Sequence, residues 1–254
     1  MDMVEKRIAV VTGASRGLGK AIAMALARQG SPVALVSRNR SELESVAQEI
    51  AQGGGSAQVF PANVTSEADI LRIESEIRQT MGRVRILVNN AGIALRRNIT
   101  DITLEEWQSV QNANLTSAFL MSKVFIPHMK AGEGRPAWGR IINIASVMAH
   151  VAIPQRSAYA ATKSALLGLT RATALELAPE GITVNTISPG WFETEMTQAL
   201  KSNPEVNASI MARVPMGRWG RPEEIGSLAA YLCTDLAGFI TGTDIVMDGG
   251  WCTQ

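Results

Sequence analysis

Seven short β-branched runs recur along the chain: "RIAVV", "PVALVS", "SAQVFP", "RILVNN", "GRIINIAS", "GITVNTIS" and "TDIVMD". Between them lie longer stretches with helical periodicity, at 17–29, 39–52, 66–81, 103–129, 157–178 and 222–232. The runs are apolar throughout rather than alternating, which is the pattern of strands buried on both faces. Strands of that kind, separated by helices, pack as a parallel sheet joined by right-handed crossovers. The expected fold is therefore α/β, a doubly wound parallel sheet. With 254 residues, 46% of them apolar, the chain can fill one large core. No repeat, low-complexity tract or linker divides it, so residues 1–254 are expected to form a single domain. Gly53-Gly54-Gly55 and "KAGEGRPAWG" (130–139) read as loops between elements. The stretch from Pro189 to Pro215 fits the strand pattern least well and is the candidate substrate lid, near 190–215.

Charge and composition narrow the classes of partner. The formal net charge is +1 and no block of like charges occurs, so neither nucleic acid nor an anionic membrane surface is the expected partner. Two cysteines and two histidines supply no spaced metal-ligand set, and no disulfide framework is expected. The N-terminal "MDMVEKRIAVV" mixes charges with a short apolar run, and no stretch reaches the length of a membrane span. The cytoplasm and a small-molecule partner are the expectations.

The first strand runs straight into "TGASRGLG" (12–19), with glycines at 13, 17 and 19. Such a turn presents bare backbone N–H groups and a helix N-terminus to a phosphate, and glycine permits the close approach. Gly13, Ser15, Arg16, Gly17, Leu18 and Gly19 are the candidate contacts. The spacing is not that of the G-x-G-x-x-G fingerprint, so the strand-to-helix context carries the nucleotide reading. After the second strand the chain reads "LVSRNR", with no carboxylate to receive a ribose 2′-hydroxyl. Ser37 and Arg38 could instead bind a 2′-phosphate by charge-assisted hydrogen bonds, and Arg16 could add a second cation. NADP(H) is the expected cofactor.

Only two tyrosines occur, and one of them, Tyr159, stands four residues before Lys163. On a helix that spacing puts phenol and ammonium on one side. A free phenol titrates near pH 10, and a neighbouring cation stabilises its anion, so the pair can form a poised proton donor and acceptor. Thirteen residues earlier, Ser146 lies just past "GRIINIAS", at the carboxyl edge where open α/β sheets bind ligands.

In order and spacing these residues resemble the short-chain dehydrogenase/reductase family. The resemblance runs from "TGASRGLG" through "NNAG" (89–92), "NANL" (112–115), Ser146, "YAATK" (159–163) and "SPGWFETEM" (188–196) to "ITGTDIVMDGG" (240–250). It implies a single Rossmann-like domain with a seven-stranded parallel sheet, assembled as a homotetramer through the central helices and the C-terminal region. It also implies roles. Tyr159 would be the acid in reduction and the base in oxidation, and Ser146 would orient the carbonyl or alcohol. Lys163 would hold the nicotinamide ribose and depress the tyrosine, and Asn114 would anchor a water linking the lysine to solvent. Asn90, Ala91 and Gly92 would line the adenine-ribose side, and Pro189, Gly190 and Thr194 the nicotinamide end. At the adenine contact the family usually has Asp, where this chain has Asn63 followed by Val64, and an amide there would accept from the adenine amino group.

Within that family, "TGASRGLG", "NVT" and "SPGWFETEM" look most like 3-oxoacyl-acyl-carrier-protein reductases, while "GRWGRPEEI" (217–225) is similar to sugar and polyol dehydrogenases. A stand-alone ketone reductase would carry the same features. If acyl-carrier protein presents the substrate, Arg96, Arg97 and Arg135 are candidates to meet its acidic surface. A function of another class, a nucleotide-sensing protein that keeps the fold without the chemistry, is set against the intact Ser146, Tyr159, Lys163 and Asn114. His150 has no partner visible in the sequence and is read as structural; Trp191 and Phe192 are either substrate walls or lid packing.

Overall fold

The computed structural model describes residues 7–132 and 136–253. The candidate Arg135 lies outside the described residues. Seven strands are present among these: β1 (Ile8–Thr12), β2 (Val33–Ser37), β3 (Ala57–Pro61), β4 (Val84–Asn89), β5 (Gly139–Ile144), β6 (Ile182–Pro189) and β7 (Asp244–Met247). They form one sheet in the order β3-β2-β1-β4-β5-β6-β7, with every pair parallel. The sheet expected from the unbroken apolar runs is the one observed. The chain winds outward from β1 to β3, then returns to place β4 on the other side of β1, so the order reverses between β1 and β4. In open α/β sheets a crevice opens at such a point, outside the carboxyl ends of the strands.

Alternate residues of each inner strand serve opposite faces. Ala9 and Val11 of β1, with Val33 and Leu35 of β2, pack beneath α1 (Gly17–Arg28), α2 (Arg40–Gln52) and α9 (Pro222–Leu232). Ile8, Val10, Ala34 and Val36 face α3 (Glu67–Thr80), α5 (Ser117–Met129) and α6 (Ser157–Leu177) on the other side. Local signals fix the helix starts: the Asn39 side chain accepts from Glu42 N, Ser66 accepts from Asp69 N, and Thr103 and Glu106 form a reciprocal capping box at α4 (Leu104–Gln111).

Two expectations need correction in detail. The single helix expected over 103–129 is two helices, α4 and α5, separated by a π-helical turn at Asn112–Thr116. One extra residue per turn re-aims a side chain, and here it drives Asn114 into the interior, where it meets Ile93 and Thr162. The segment read as irregular, 190–215, contains α7 (Gln198–Ser202) and α8 (Pro204–Met211). Asn203 caps α8 by accepting from Glu205 N and Val206 N, and Pro204 occupies its first turn, where no N–H partner is needed.

Helices α1 and α9 lie against each other through Gly226, where a Cβ would come within 2.7 Å of the Ala21 carbonyl oxygen. That neighbour is backbone and cannot swing aside, so Gly226→Ala is expected to force the helices apart. The expected loss is about 1–3 kcal/mol of stability, read as a lower urea midpoint with unchanged slope.

Candidate active site

Loops from several strand ends converge at the carboxyl edge of the sheet and enclose a cleft of about 1300 Å³. That exceeds the roughly 300–1,000 Å³ typical of a single small-ligand pocket and leaves room for a dinucleotide beside a substrate. The glycine turn forms one wall. Gly13 and Gly17 have φ of 63° and 55°, conformations that residues with a Cβ adopt with strain. At Gly19 a Cβ would collide with the Gly13 carbonyl and the Asn90 amide. Thr12, the first residue of "TGASRGLG" but outside the candidate contacts, ties this turn to β4. Its hydroxyl donates to Val88 O and accepts from Asn90 N and Ala91 N, while Asn90 Nδ2 donates to the carbonyls of Thr12 and Gly13.

Next to the end of β2, the Ser37 hydroxyl is buried without a hydrogen-bond partner, and Arg38 is exposed with no ion pair among the described residues. An orphaned donor beside a free guanidinium fits the phosphate on the ribose of NADP(H). Arg16, Ser15 and Leu18 border the same cleft, as do Asn63 and Val64. The Asn63 amide is not disposed as expected. Its oxygen already accepts from Thr65 N and Thr65 Oγ1 in a tight local turn, so acceptance from an adenine amino group is the less available use. Its Nδ2 remains as a donor.

Ser146, Tyr159 and Lys163 come together across the cleft from the turn. Ser146 follows β5, caps the short turn Val147–Ala149 by accepting from Met148 N, and lies close enough to Tyr159 to favour its phenolate. Lys163 is buried and donates to Ile144 O at 2.7 Å, its Nζ lying 5.6 Å from the Tyr159 ring centre. Burial pushes this ammonium down to about 8. Burial also pushes the phenol up, opposed by the Ser146 hydrogen bond and the charge of Arg156. Arg156, a residue absent from the sequence-based set, is thus a second cation near the phenol, beside the Lys163 ammonium over the ring. The signal was available: Arg156 stands three residues before Tyr159, at the start of the same helix.

Asn114 has its capacity largely committed. Nδ2 donates to Ile93 O and Thr162 Oγ1, and Oδ1 accepts from Ile93 N. It clamps the β4 loop against α6, and a Cβ at Gly92 would press on Asn114 Oδ1 at 3.0 Å. On the far side, Pro189 ends β6 and Gly190 packs where a Cβ would strike Asp248. Thr194 is held by Thr197 and approaches the glycine turn near Gly17. Phe192 is buried in the core, and Trp191 both lines the cleft and stands edge-on to Trp219 and Trp251, so the two serve packing and wall together. His150 has a partner after all: Nε2 lies 2.6 Å from Asp244 Oδ2, outside the cleft lining. Arg97 pairs with Glu106 and Arg96 with Gln155, so these two are engaged within the chain.

Comparison with known proteins agrees with this geometry. The family model described as enoyl-(acyl carrier protein) reductase matches residues 13–252. The chain belongs to the short-chain dehydrogenase/reductase family. It is 38% identical to a 3-oxoacyl-acyl-carrier-protein reductase of Vibrio cholerae, over 97% of this chain and 98% of that protein. Among solved structures it is similar to a gluconate 5-dehydrogenase from Burkholderia cenocepacia in complex with NADP and tartrate, at 32% identity and TM-score 0.91, covering 99% and 97% of the two chains. It is also similar to a single-substitution variant of the actinorhodin polyketide ketoreductase with NADPH, at 32% identity and TM-score 0.93 over the full length of both. The chain is accordingly an oxidoreductase acting on CH–OH groups.

The depressed Lys163 has a consequence for stability. Below about pH 8 the folded protein carries a buried ammonium; between about 8 and the ordinary 10.5 it sheds a proton that the unfolded chain retains. Stability therefore rises with pH across that window. Wild type is expected to gain about 2 kcal/mol relative to Lys163→Met between pH 8 and 9.5 in urea unfolding; a difference that stays flat with pH would refute the buried charge.

Proposed function

We propose that the protein is an NADP(H)-dependent carbonyl reductase, interconverting a ketone and a secondary alcohol. The observation that carries this is the meeting of Ser146, Tyr159 and Lys163 at the carboxyl edge, in the same cleft as the glycine turn and the Ser37–Arg38 corner. When bound, the nicotinamide supplies or receives the hydride. Gly13, Ser15, Arg16, Gly17, Leu18 and Gly19 hold the diphosphate, Ser37 and Arg38 the 2′-phosphate, and Asn63 and Val64 the adenine. Asn90, Ala91 and Gly92 support the adenine-side ribose, Lys163 grips the nicotinamide ribose, and Pro189, Gly190 and Thr194 border the nicotinamide.

Ser146 Oγ orients the substrate oxygen, and Tyr159 delivers a proton to it as charge develops there. Because burial raises the phenol, Tyr159 keeps its proton at neutral pH and stands ready as an acid. Lys163 and Asn114 maintain the position and the proton supply of that acid. The reductive rate is thus highest where the phenol is protonated, and the oxidative rate rises as pH climbs.

For the substrate, likeness to the Vibrio cholerae reductase supports a 3-oxoacyl thioester carried on acyl-carrier protein, and likeness to the gluconate 5-dehydrogenase supports a free oxo acid or sugar acid. We place the protein in the cytoplasm; no helix among the described residues is long and apolar enough to cross a membrane. A homotetramer is supported by exposed Leu104, Phe119 and Leu175 on the central helices and by Leu236 and Phe239 near the C-terminal end.

Tyr159→Phe is expected to lower the rate of NADPH oxidation about 10²–10⁴-fold while NADPH binding, followed by its fluorescence, persists. Retained turnover would remove Tyr159 from the mechanism, and absent turnover in both proteins would favour a sensor. Arg38→Ala is expected to raise KM for NADPH about tenfold or more and leave KM for NADH nearly unchanged; equal effects on both cofactors would move the 2′-phosphate elsewhere.

A further inference from the structure

Arg156 lines the same cleft as Ser146 and Tyr159, and the apolar part of that lining includes Met148, Ile153, Trp191 and Met196. It is half-buried, and among the described residues its guanidinium makes one hydrogen bond, a long one of 3.4 Å to Leu95 O. None of the three glutamates bordering the cleft, Glu42, Glu105 and Glu195, forms an ion pair with it. Five N–H donors in a planar fork are thus held beside an apolar wall with little to bind. Withdrawing a guanidinium from water in this way is unfavourable unless an anion accompanies it. The charge of Arg96 adds repulsion rather than relief.

Position decides what that anion can be. Arg156 begins the helix that carries Tyr159 three residues later, so guanidinium and phenol face the same space, and each acts electrostatically on the other. We propose that Arg156 binds a carboxylate of the substrate, and that the natural substrate is an oxo acid whose carboxylate stands a few bonds from the carbonyl that Tyr159 protonates. A planar fork matches a carboxylate with two parallel hydrogen bonds, which fixes which face of the carbonyl is presented. An acyl chain on carrier protein offers a neutral thioester at this position, with its nearest anion far along the pantetheine arm. The inference rests on the reductase reading and selects, among its substrate classes, the free acid.

The experiment uses the wild-type protein, Arg156→Met and Arg156→Lys. Each is supplied with NADPH and a ladder of linear oxo acids, with the carbonyl at C2, C3, C4 or C5, and with the methyl ester of each acid. For at least one acid the wild type is expected to show kcat/KM tenfold or more above its ester. Any effect of Arg156 on the Tyr159 phenol is common to acid and ester, so Arg156→Met is expected to lose about ten- to hundredfold more on that acid than on its ester, the excess falling on KM; Arg156→Lys should restore part of that excess. NADPH binding should be the same in all three. Esters used as well as their acids throughout, or equal losses on acid and ester in Arg156→Met, would overturn the carboxylate site while leaving the reductase intact. Calorimetric titration of the enzyme–NADP⁺ complex with the same acids reads the site without turnover. Binding that Arg156→Met abolishes, with no NADPH oxidised by any carbonyl compound, would uphold the site and overturn the reductase; no binding and no turnover would overturn both.

Discussion

The hydroxyl of Thr12 holds the two halves of the sheet in register at the point where their order reverses. It donates to Val88 O and accepts from the backbone N–H groups of Asn90 and Ala91, so the end of β1 and the end of β4 leave the sheet as one unit. From there a string of polar contacts runs across the cleft. Gly92 and Ile93 follow Ala91; Ile93 is clamped on both its N–H and its carbonyl by Asn114; Asn114 reaches Thr162; and Thr162 donates to the carbonyl of Tyr159. A satisfied network of this kind fixes positions more sharply than apolar packing does, because each broken link would leave a buried group without a partner. The glycine turn and the helix bearing Tyr159, far apart in sequence, are thereby set at one distance from each other.

The same interior that orders these groups also works against their charges. Desolvation lowers the Lys163 ammonium and raises the Tyr159 phenol, so each favours its neutral form. The fold gains nothing in stability from either shift at neutral pH. Lys163 is tolerated because Ile144 O receives one of its protons, and Arg156 because a carbonyl and partial exposure relieve it. Sites that hold polar groups in strained or unpartnered states are the usual places where stability is given up for chemistry. The orphaned Ser37 hydroxyl belongs to the same class.

Much of this was legible in the sequence, for identifiable reasons. Seven unbroken apolar runs with helices between them leave few topologies, and the parallel sheet followed. The glycine turn, Ser146, Tyr159 and Lys163 could be read because their spacing relative to strand ends is itself the signal. The break in the 103–129 helix could not be read, since a π-turn is selected by the tertiary partners of Asn114 rather than by local propensity. Helix α8 is legible in principle, for "NPE" supplies a cap, a first-turn proline and an acidic residue, but its eight residues are too short to carry a clear helical period within 190–215. Arg156 was hidden for another reason. Whether an arginine is a solvated surface charge or a half-buried one depends on the tertiary surroundings, and the cleft that Arg156 lines is assembled from loops far apart in the sequence.

Substrate choice in this fold is separated in space from the proton-handling groups. The groups proposed to handle the substrate oxygen lie just past β5, at Ser146, and on α6, at Tyr159, next to elements anchored in the sheet or against it, so their geometry is set by the core. The surroundings that decide which carbonyl compound enters come from the Val147–Ala149 turn, the loop after it and the segment beginning at Trp191, which meet only at the cleft. An apolar wall alone discriminates weakly, since a methylene more or less changes binding by about 1–3 kcal/mol. A cation such as the proposed Arg156 site would change the comparison, because a substrate without an anion would leave the guanidinium unpaired as well as unfilled. Selectivity then follows from what the wrong substrate fails to neutralise, and one side chain at the start of α6 can set it without disturbing Ser146, Tyr159 or Lys163.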